Sequence, residues 1–365
     1  MNQEYMLRAI ELAKRGIGKV NPNPLVGAVI VKDGRVIGEG YHAKYGELHA
    51  ERHAFSRLTE SAEGAEMYVT LEPCCHYGKQ PPCTQAIIEH GIKKVYVGSD
   101  DPNKLVAGKG IQILREAGIE VVTQCLKEEC DALNPVFFHY ITTGMPYVVV
   151  KYAMTMDGKI ACDTGKSQWI TGEEARKHVQ ETRNALTGIM AGVQTVIKDN
   201  PSLTCRIPDG RNPVRIICDS NLRIPLESNI VQTAKDVPTI VAAVAGEDKK
   251  IAALEEAGVQ ILFTGEKQGR VDLQELMRQL GKEKIDSILL EGGGTLNQSA
   301  FASGIVNHVQ AYLAPKIFGG SGKYTPVSGI GVEEPDKAYF LTNRRVKYFG
   351  EDILLEYDVV KTLLR

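Results

Sequence analysis

Three short segments constrain the fold of this chain more than anything else in it: Leu48-His49-Ala50-Glu51, Leu71-Glu72-Pro73-Cys74 and Pro81-Pro82-Cys83. Histidine and cysteine are good zinc ligands, and three protein ligands leave a fourth tetrahedral position for water. If His49, Cys74 and Cys83 hold one ion, segments distant in sequence must converge on one point. Glu51 follows the histidine by two residues within one helical turn, near such an ion but not on it, where a general acid/base is needed. Pro81-Pro82 favours a helix start. Cys83 then falls in the first turn, where the positive helix end favours a thiolate. Read singly, His49 is an ordinary core histidine and the cysteines are ordinary buried thiols. A closed structural site would need a fourth ligand, for which His76 is a better spare than Cys75, and His76 has the alternative of facing a substrate.

At 365 residues the chain exceeds one ordinary domain, and two are expected. Its 43% hydrophobic and 24% charged content suits a soluble globular protein with sizeable cores. The net charge of −2 provides no global field toward nucleic acid or an anionic membrane. No apolar run approaches the roughly 18–20 residues of a membrane span. Residues 1–16 mix Glu4, Arg8, Glu11, Lys14 and Arg15 into an apolar pattern, which reads as an amphipathic helix and not a signal peptide. A cytoplasmic location is therefore expected, where the eight cysteines are metal ligands or buried thiols sooner than disulfides.

Short apolar runs alternate with helical patterns throughout, which predicts α/β sheets covered on both faces. In the first part the runs are Val26–Val31, Val36–Gly40, Met67–Leu71 and Lys94–Gly98, with helices over His49–Leu58, Thr84–His90 and Ile111–Ala117. Thr142-Thr143-Gly144-Met145-Pro146 marks a boundary, giving domains 1–144 and 146–365. Beyond it, strands are predicted at Tyr147–Ala153, Val214–Asp219, Thr239–Val244, Gln260–Thr264, Ser287–Leu290 and Val309–Leu313. Helices are predicted over Glu173–Leu186 and Leu273–Leu280. Glu291-Gly292-Gly293-Gly294-Thr295 is a glycine turn between a strand and a helix start, a place where backbone approaches phosphate closely. It is not Gly-x-Gly-x-x-Gly, and a tight turn without a ligand fits it equally well.

Taken together, His-x-Glu followed by Pro-Cys and a second cysteine at a helix start is a zinc-deaminase signature. The usual pattern has two residues between the cysteines, and here there are eight. That longer form, with Asn21-Pro22-Asn23-Pro24-Leu25-Val26-Gly27, Gly38-Glu39-Gly40-Tyr41-His42, Asp101-Pro102-Asn103 and Val106-Ala107-Gly108-Lys109-Gly110, resembles the deaminase half of the bifunctional riboflavin-biosynthesis deaminase–reductases. The resemblance implies a cytidine-deaminase-like three-layer fold and places substrate against Asn23, His42 and Lys79, the lysine as a compact cation for a ribose phosphate. Two positions depart from the family's habit. Arg52 stands where a small apolar residue is usual, so a buried guanidinium there needs a partner. Cys75 stands in place of a serine.

Lys151, Met156-Asp157-Gly158-Lys159-Ile160, Ser167-Gln168-Trp169-Ile170-Thr171, Gly192-x-x-Thr195 and Asp199 to Arg206 resemble the reductase half of the same family, so the likeness spans the chain in order. It implies a dihydrofolate-reductase-like α/β domain that uses NADPH. Cofactor contacts carried over by that likeness are Ala153, Trp169, Thr195, Asp199, Ser220 and the run Gly293, Gly294, Thr295, Leu296, Asn297, Gln298 and Ser299. Ser167, Arg183, Leu203, Arg206 and Glu291 would hold the phosphoribosyl substrate, the arginines as phosphate clamps. Lys151 and Glu291 would form a substrate-polarising pair. The implied reactions are zinc-dependent deamination of a diaminopyrimidinone ribosylamine 5′-phosphate, then reduction of the product's ribosyl group to ribityl. The partners expected are phosphorylated pyrimidines and further copies of the chain in a homo-oligomer, with no nucleic acid and no membrane. A nucleic-acid-editing deaminase would show a basic surface and stacking aromatics, and 6% aromatic content offers few.

Overall fold

The computed structural model describes residues 2–78 and 80–360, and the chain divides into two compact units between Gly144 and Met145. In the first unit the elements are α1 (Gln3–Lys14), β1 (Gly27–Lys32), β2 (Arg35–Tyr41), α2 (Ala50–Phe55), β3 (Glu66–Leu71), α3 (Cys83–Glu89) and β4 (Lys94–Ser99). They continue with α4 (Lys109–Glu116), β5 (Glu120–Val122), α5 (Lys127–Asp131) and α6 (Pro135–Thr143). The five strands pair in the order β2-β1-β3-β4-β5, with β1 antiparallel to both neighbours and β3, β4 and β5 parallel.

Strand alternation sends successive residues to opposite faces, and the burial follows it. Ala28, Ile30, Met67, Val69, Val95 and Val97 join Ala86, Ile87, Ile111 and Leu114 of α3 and α4 in one core. Val29, Val31, Tyr68 and Tyr96 join Met6, Ala9 and Ile10 of α1 in the other. The result is three layers. On β2, a Cβ at Gly40 would strike the backbone N of Ala54 and O of Ala50, and one at Gly38 would lie 2.8 Å from Ala54 O. These two glycines let α2 lie directly on the strand backbone, which fixes the height of the His49–Glu51 turn above the sheet. The expected helix over His49–Leu58 is shorter at both ends, with His49 as its N-cap in extended geometry.

The second unit comprises β6 (Tyr147–Thr155), α7 (Glu173–Ala185), β7 (Gly188–Gly192), α8 (Val193–Asp199), β8 (Val214–Cys218), α9 (Asn229–Gln232), β9 (Thr239–Ala243), α10 (Asp248–Glu256) and β10 (Val259–Phe263). After these come β11 (Glu266–Lys267), β12 (Arg270–Val271), α11 (Leu273–Lys282), β13 (Ser287–Leu290), α12 (Gly294–Ala302), β14 (Val306–Ala314), β15 (Leu341–Phe349) and β16 (Asp352–Val359). Nine strands form one sheet in the order β10-β9-β8-β7-β13-β6-β14-β16-β15. Pairing is parallel from β10 through β14, and β16 and β15 close the edge in antiparallel register. One face packs Val148, Met190, Ile216 and Ile288 against Leu276, Met277 and Leu280 of α11. The other packs Ile189, Ile217 and Val241 against Val196 of α8 and Leu254 of α10. Strands covered on both faces read as continuous apolar runs, as Ser287–Leu290 does. No helix among the described residues is long and apolar enough to cross a membrane.

Candidate functional sites

His49 Nδ1 lies 3.4 Å from Cys74 Sγ and 3.5 Å from Cys83 Sγ, and all three ligand atoms fall within 4.8 Å of one another. Zinc–sulfur and zinc–nitrogen lengths of about 2.3 and 2.0–2.1 Å at tetrahedral angles place N and S about 3.5 Å apart. The donor set therefore fits a zinc ion, with one position left for water. Three elements supply it: the N-cap of α2, the segment leaving β3, and the first residue of α3. Hydrogen bonding to Cys74 raises the imidazole of His49, against the opposing effect of burial. The bond from Cys83 drives the Cys74 thiol down, while the same bond and burial drive Cys83 up. Glu51 is buried beside them, and burial together with the Cys74 sulfur pushes its carboxyl up to about 7. The two spare ligand candidates stay outside the cluster: Cys75 Sγ turns to Leu105 O at 3.7 Å, and His76 faces the adjoining cavity.

Arg52 has its partners. Its Nε donates to Pro81 O and its terminal nitrogen to Pro82 O, both at 3.0 Å, so it ties α2 to the residues that start α3. Glu72 braces the other side. Its carboxylate accepts from Gly108 N at 2.9 Å and Ile111 N at 3.2 Å, holding the start of α4 against the end of β3.

The cavity over the ligands is lined by Asn23, His42, His49, Glu51, Cys74 and His76, among others. His42 Nδ1 is 3.0 Å from Leu48 O and must donate to it, so Nε2 accepts from Asn23 Nδ2 at 3.1 Å. Burial holds this ring below its ordinary value, the direction that favours its neutral form. His76 Nδ1 is buried without a hydrogen-bond partner among the described residues. Lys79 lies outside the described residues. Phe137, Tyr140 and Ile141 of α6 supply a wall that the sequence reading missed. Its available signal was Asn134-Pro135, a helix start just before an aromatic run.

In the second unit, Glu291 sits between two cations. Arg183 grips it with two parallel bonds, Nε to Oε1 at 2.7 Å and a terminal nitrogen to Oε2 at 3.0 Å, while Lys151 Nζ lies 3.6 Å from Oε2. The remaining Arg183 nitrogen donates to Thr204 O at 2.9 Å. The Arg183 fork, expected to clamp a phosphate, is engaged by Glu291 in this structure. Burial raises the Glu291 carboxyl, but Arg183 and Lys151 outweigh it and hold the group down at about 2. The two cations thus favour the ionised form of Glu291. Leu203 is buried in the core with φ at +49°, so its side chain packs inward. Ser167 and Arg206 are exposed, and Trp169 is 58% exposed with Arg176 stacked 4.7 Å from its ring centroid.

A groove opens at the carboxyl ends of β7, β8 and β13, where parallel sheets bind ligands. Gly192, Thr195, Ser220, Gly293, Gly294, Thr295, Leu296 and Ser299 line it. The α12 N-cap, Gly293, provides no side-chain cap, and a Cβ there would meet nothing within 4 Å. Uncapped N–H groups at an open helix start suit a dinucleotide's pyrophosphate. Five residues that the resemblance assigns to the cofactor, Ala153, Trp169, Asp199, Asn297 and Gln298, do not line this groove. Asn297 donates to Pro326 O and Gln298 to Ile330 O, both away from the groove lining. Asp199 is exposed at the end of α8, also outside that lining. Ala153 packs beside Val179 and Tyr312.

Residues 1–99 match the cytidine and deoxycytidylate deaminase zinc-binding region, and residues 146–355 match the RibD C-terminal domain. The riboflavin biosynthesis protein RibD of Actinobacillus pleuropneumoniae is 55% identical over 99% of this chain and 96% of its own length. That of Bacillus amyloliquefaciens is 44% identical over 97% and 95%. Among solved structures, Acinetobacter baumannii RibD aligns with a TM-score of 0.88 at 37% identity over 98% of both chains. The Thermotoga maritima diaminohydroxyphosphoribosylaminopyrimidine deaminase/5-amino-6-(5-phosphoribosylamino)uracil reductase aligns at 0.84 and 38%, again over 98% of both.

Proposed function

The chain belongs to the RibD family, the bifunctional deaminase/reductases of riboflavin biosynthesis, and from that premise we infer which of its residues perform each reaction. The deaminase is assigned to residues 1–144 and the reductase to 146–365. The observation that carries the first assignment is the convergence of His49, Cys74 and Cys83 beside a buried Glu51.

His49, Cys74 and Cys83 would hold zinc, which when bound lowers the pKa of a water toward neutrality for attack on the amine-bearing carbon of 2,5-diamino-6-ribosylamino-4(3H)-pyrimidinone 5′-phosphate. Glu51, buried beside the three ligands, would be the residue that takes up a proton and returns it to the leaving amine. Asn23 and His42, coupled through one hydrogen bond, orient the pyrimidine, and Lys79 receives its phosphate.

The groove beside Gly293 would hold NADPH, which supplies hydride to C1′ of the ring-opened aminouracil sugar. Thr195, Ser220 and the Gly293–Leu296 turn would bind the dinucleotide, and the family resemblance assigns Trp169 to the cofactor as well. Glu291 orients Lys151 toward the sugar, and Arg183 keeps Glu291 ionised so that this orientation persists. Ser167, Arg206 and the Leu203 backbone remain for the substrate.

The test is metal analysis of the full chain with both half-reactions assayed separately. One zinc per chain is expected, with deamination lost on chelation and reduction retained on deaminated substrate. Loss of both reactions together would refute the separation of sites.

A further inference from the structure

Among the described residues lining the second-unit groove there is no aspartate or glutamate, but there are two arginines, Arg223 and Arg270. Neither is needed to receive a pyrophosphate, because that group has the uncapped start of α12. Sites for the unphosphorylated dinucleotide hold the adenosine ribose 2′-hydroxyl with a carboxylate, which would repel a phosphate placed there. This groove carries the opposite charge on that count.

Both arginines are presented to solvent on built supports. Arg223 follows β8 on the loop through Ser220 and Asn221. Its side chain is 53% exposed, and its ion-pair contact, Asp219 Oδ1, is 3.9 Å away. Arg270 lies on the β11–β12 ribbon, whose turn residues Gln268 and Gly269 have φ of +54° and +73°. Positive φ at both central positions matches the twist of a tight two-residue hairpin. Arg270 donates to Ser299 Oγ at 3.2 Å, which aims it over the groove toward α12. The two supports are tied together, since Val271 N donates to Ser220 Oγ at 3.2 Å.

We propose that Arg223 and Arg270 clamp the 2′-phosphomonoester of the dinucleotide and set the reductase's preference for the 2′-phosphorylated form. This rests on reading the groove as a nicotinamide dinucleotide site. A phosphomonoester offers three terminal oxygens, and planar guanidinium forks match them in geometry and charge.

The experiment uses the full chain as wild type, Arg223→Gln, Arg270→Gln and the double variant. Calorimetric titrations compare adenosine 2′,5′-bisphosphate with 5′-ADP, and reductase kcat/KM is compared for NADPH and NADH. The calorimetric unfolding transition of the second unit checks folding, and Arg→Lys variants replace any glutamine variant that fails it. Each single variant should weaken the 2′,5′-bisphosphate by roughly tenfold or more, as loss of charge-assisted hydrogen bonds implies. The NADPH-to-NADH ratio should fall in step, with 5′-ADP little changed. Equal losses on both nucleotides, or no loss on either, would overturn the proposal. A wild type that uses NADH as well as NADPH would also sink it, while leaving the nicotinamide reading in place. A wild type that binds neither dinucleotide would remove both.

Discussion

Replacing Glu291 by glutamine keeps the side chain's shape and removes the anion between Arg183 and Lys151. The side chains of Arg183, Glu291 and Lys151 are only 11%, 13% and 16% exposed, so solvent cannot take over the neutralisation. Two routes give the size of the effect. Breaking a buried ion pair by removing one partner costs about 3–5 kcal/mol. Independently, a carboxyl held at about 2 against an ordinary 4.5 carries on the order of 3 kcal/mol of linked stability. The folded-state value is depressed, so this stability is complete above about 4.5 and is lost as the pH falls toward about 2. At roughly 2–4 °C per kcal/mol for a unit of this size, the reductase transition of Glu291→Gln should drop by about 6–20 °C at neutral pH. Differential scanning calorimetry of the full chain, repeated from pH 7 to 2, reads both the drop and the pH slope. Between about 4.5 and 2 the wild type should lose its advantage over the variant. A variant melting within about 2 °C of wild type at pH 7, with an unchanged slope, would refute the reasoning. It would mean that Thr204 O and water suffice for Arg183.

Other perturbations separate the two units. Glu51→Gln should retain zinc by metal analysis and lose deamination by roughly 10²–10⁴-fold, as expected for a missing general acid/base. Reduction of supplied aminouracil should continue at the wild-type rate. Arg52→Ala leaves the Pro81 and Pro82 carbonyls without their donor, and zinc affinity should weaken about 10–100-fold in chelator competition. Unchanged affinity would show that α3 is held by other contacts. Gly40→Ala drives a methyl into the Ala50 and Ala54 backbone, and the first unit should lose about 1–3 kcal/mol in urea unfolding, or more if α2 lifts off. A second-unit transition that moves equally would contradict the assignment of that strain to α2.

The deaminase ligands were legible because their chemistry requires particular side chains at particular places, and the Met67–Leu71 run before Cys74 marked the strand that delivers one of them. Strands buried on both faces, such as Ser287–Leu290, were legible as apolar runs for the same reason. What escaped is what depends on distant partners. Arg183 and Glu291 are 108 residues apart, and nothing in either neighbourhood shows that each satisfies the other. Asn297 and Gln298 lie in the expected glycine-turn segment, but helical rotation points them at the 326–330 carbonyls. The closing strands escaped on pattern. β15 is exposed along nearly its whole length and so lacks apolar alternation. β16 buries Asp352, Leu354 and Glu356 on one face, and the two acids disguise the period. Their partners, Gly172 N for Asp352 and Gln310 and Lys347 for Glu356, come from elsewhere in the chain. The β11–β12 ribbon, with two residues per strand, is too short for any periodicity to register.

The two bonds from Arg52 end on main-chain carbonyls, which every amino acid possesses. Side chains at positions 81 and 82 are therefore free to vary as far as this anchor is concerned. A one-residue deletion or insertion at Pro81-Pro82 is a different matter, because it changes the backbone that meets the guanidinium and the approach to Cys83 together. The anchor reads the backbone at that pair and is blind to its spelling. Descendants of this chain should accumulate substitutions there long before they accumulate gaps.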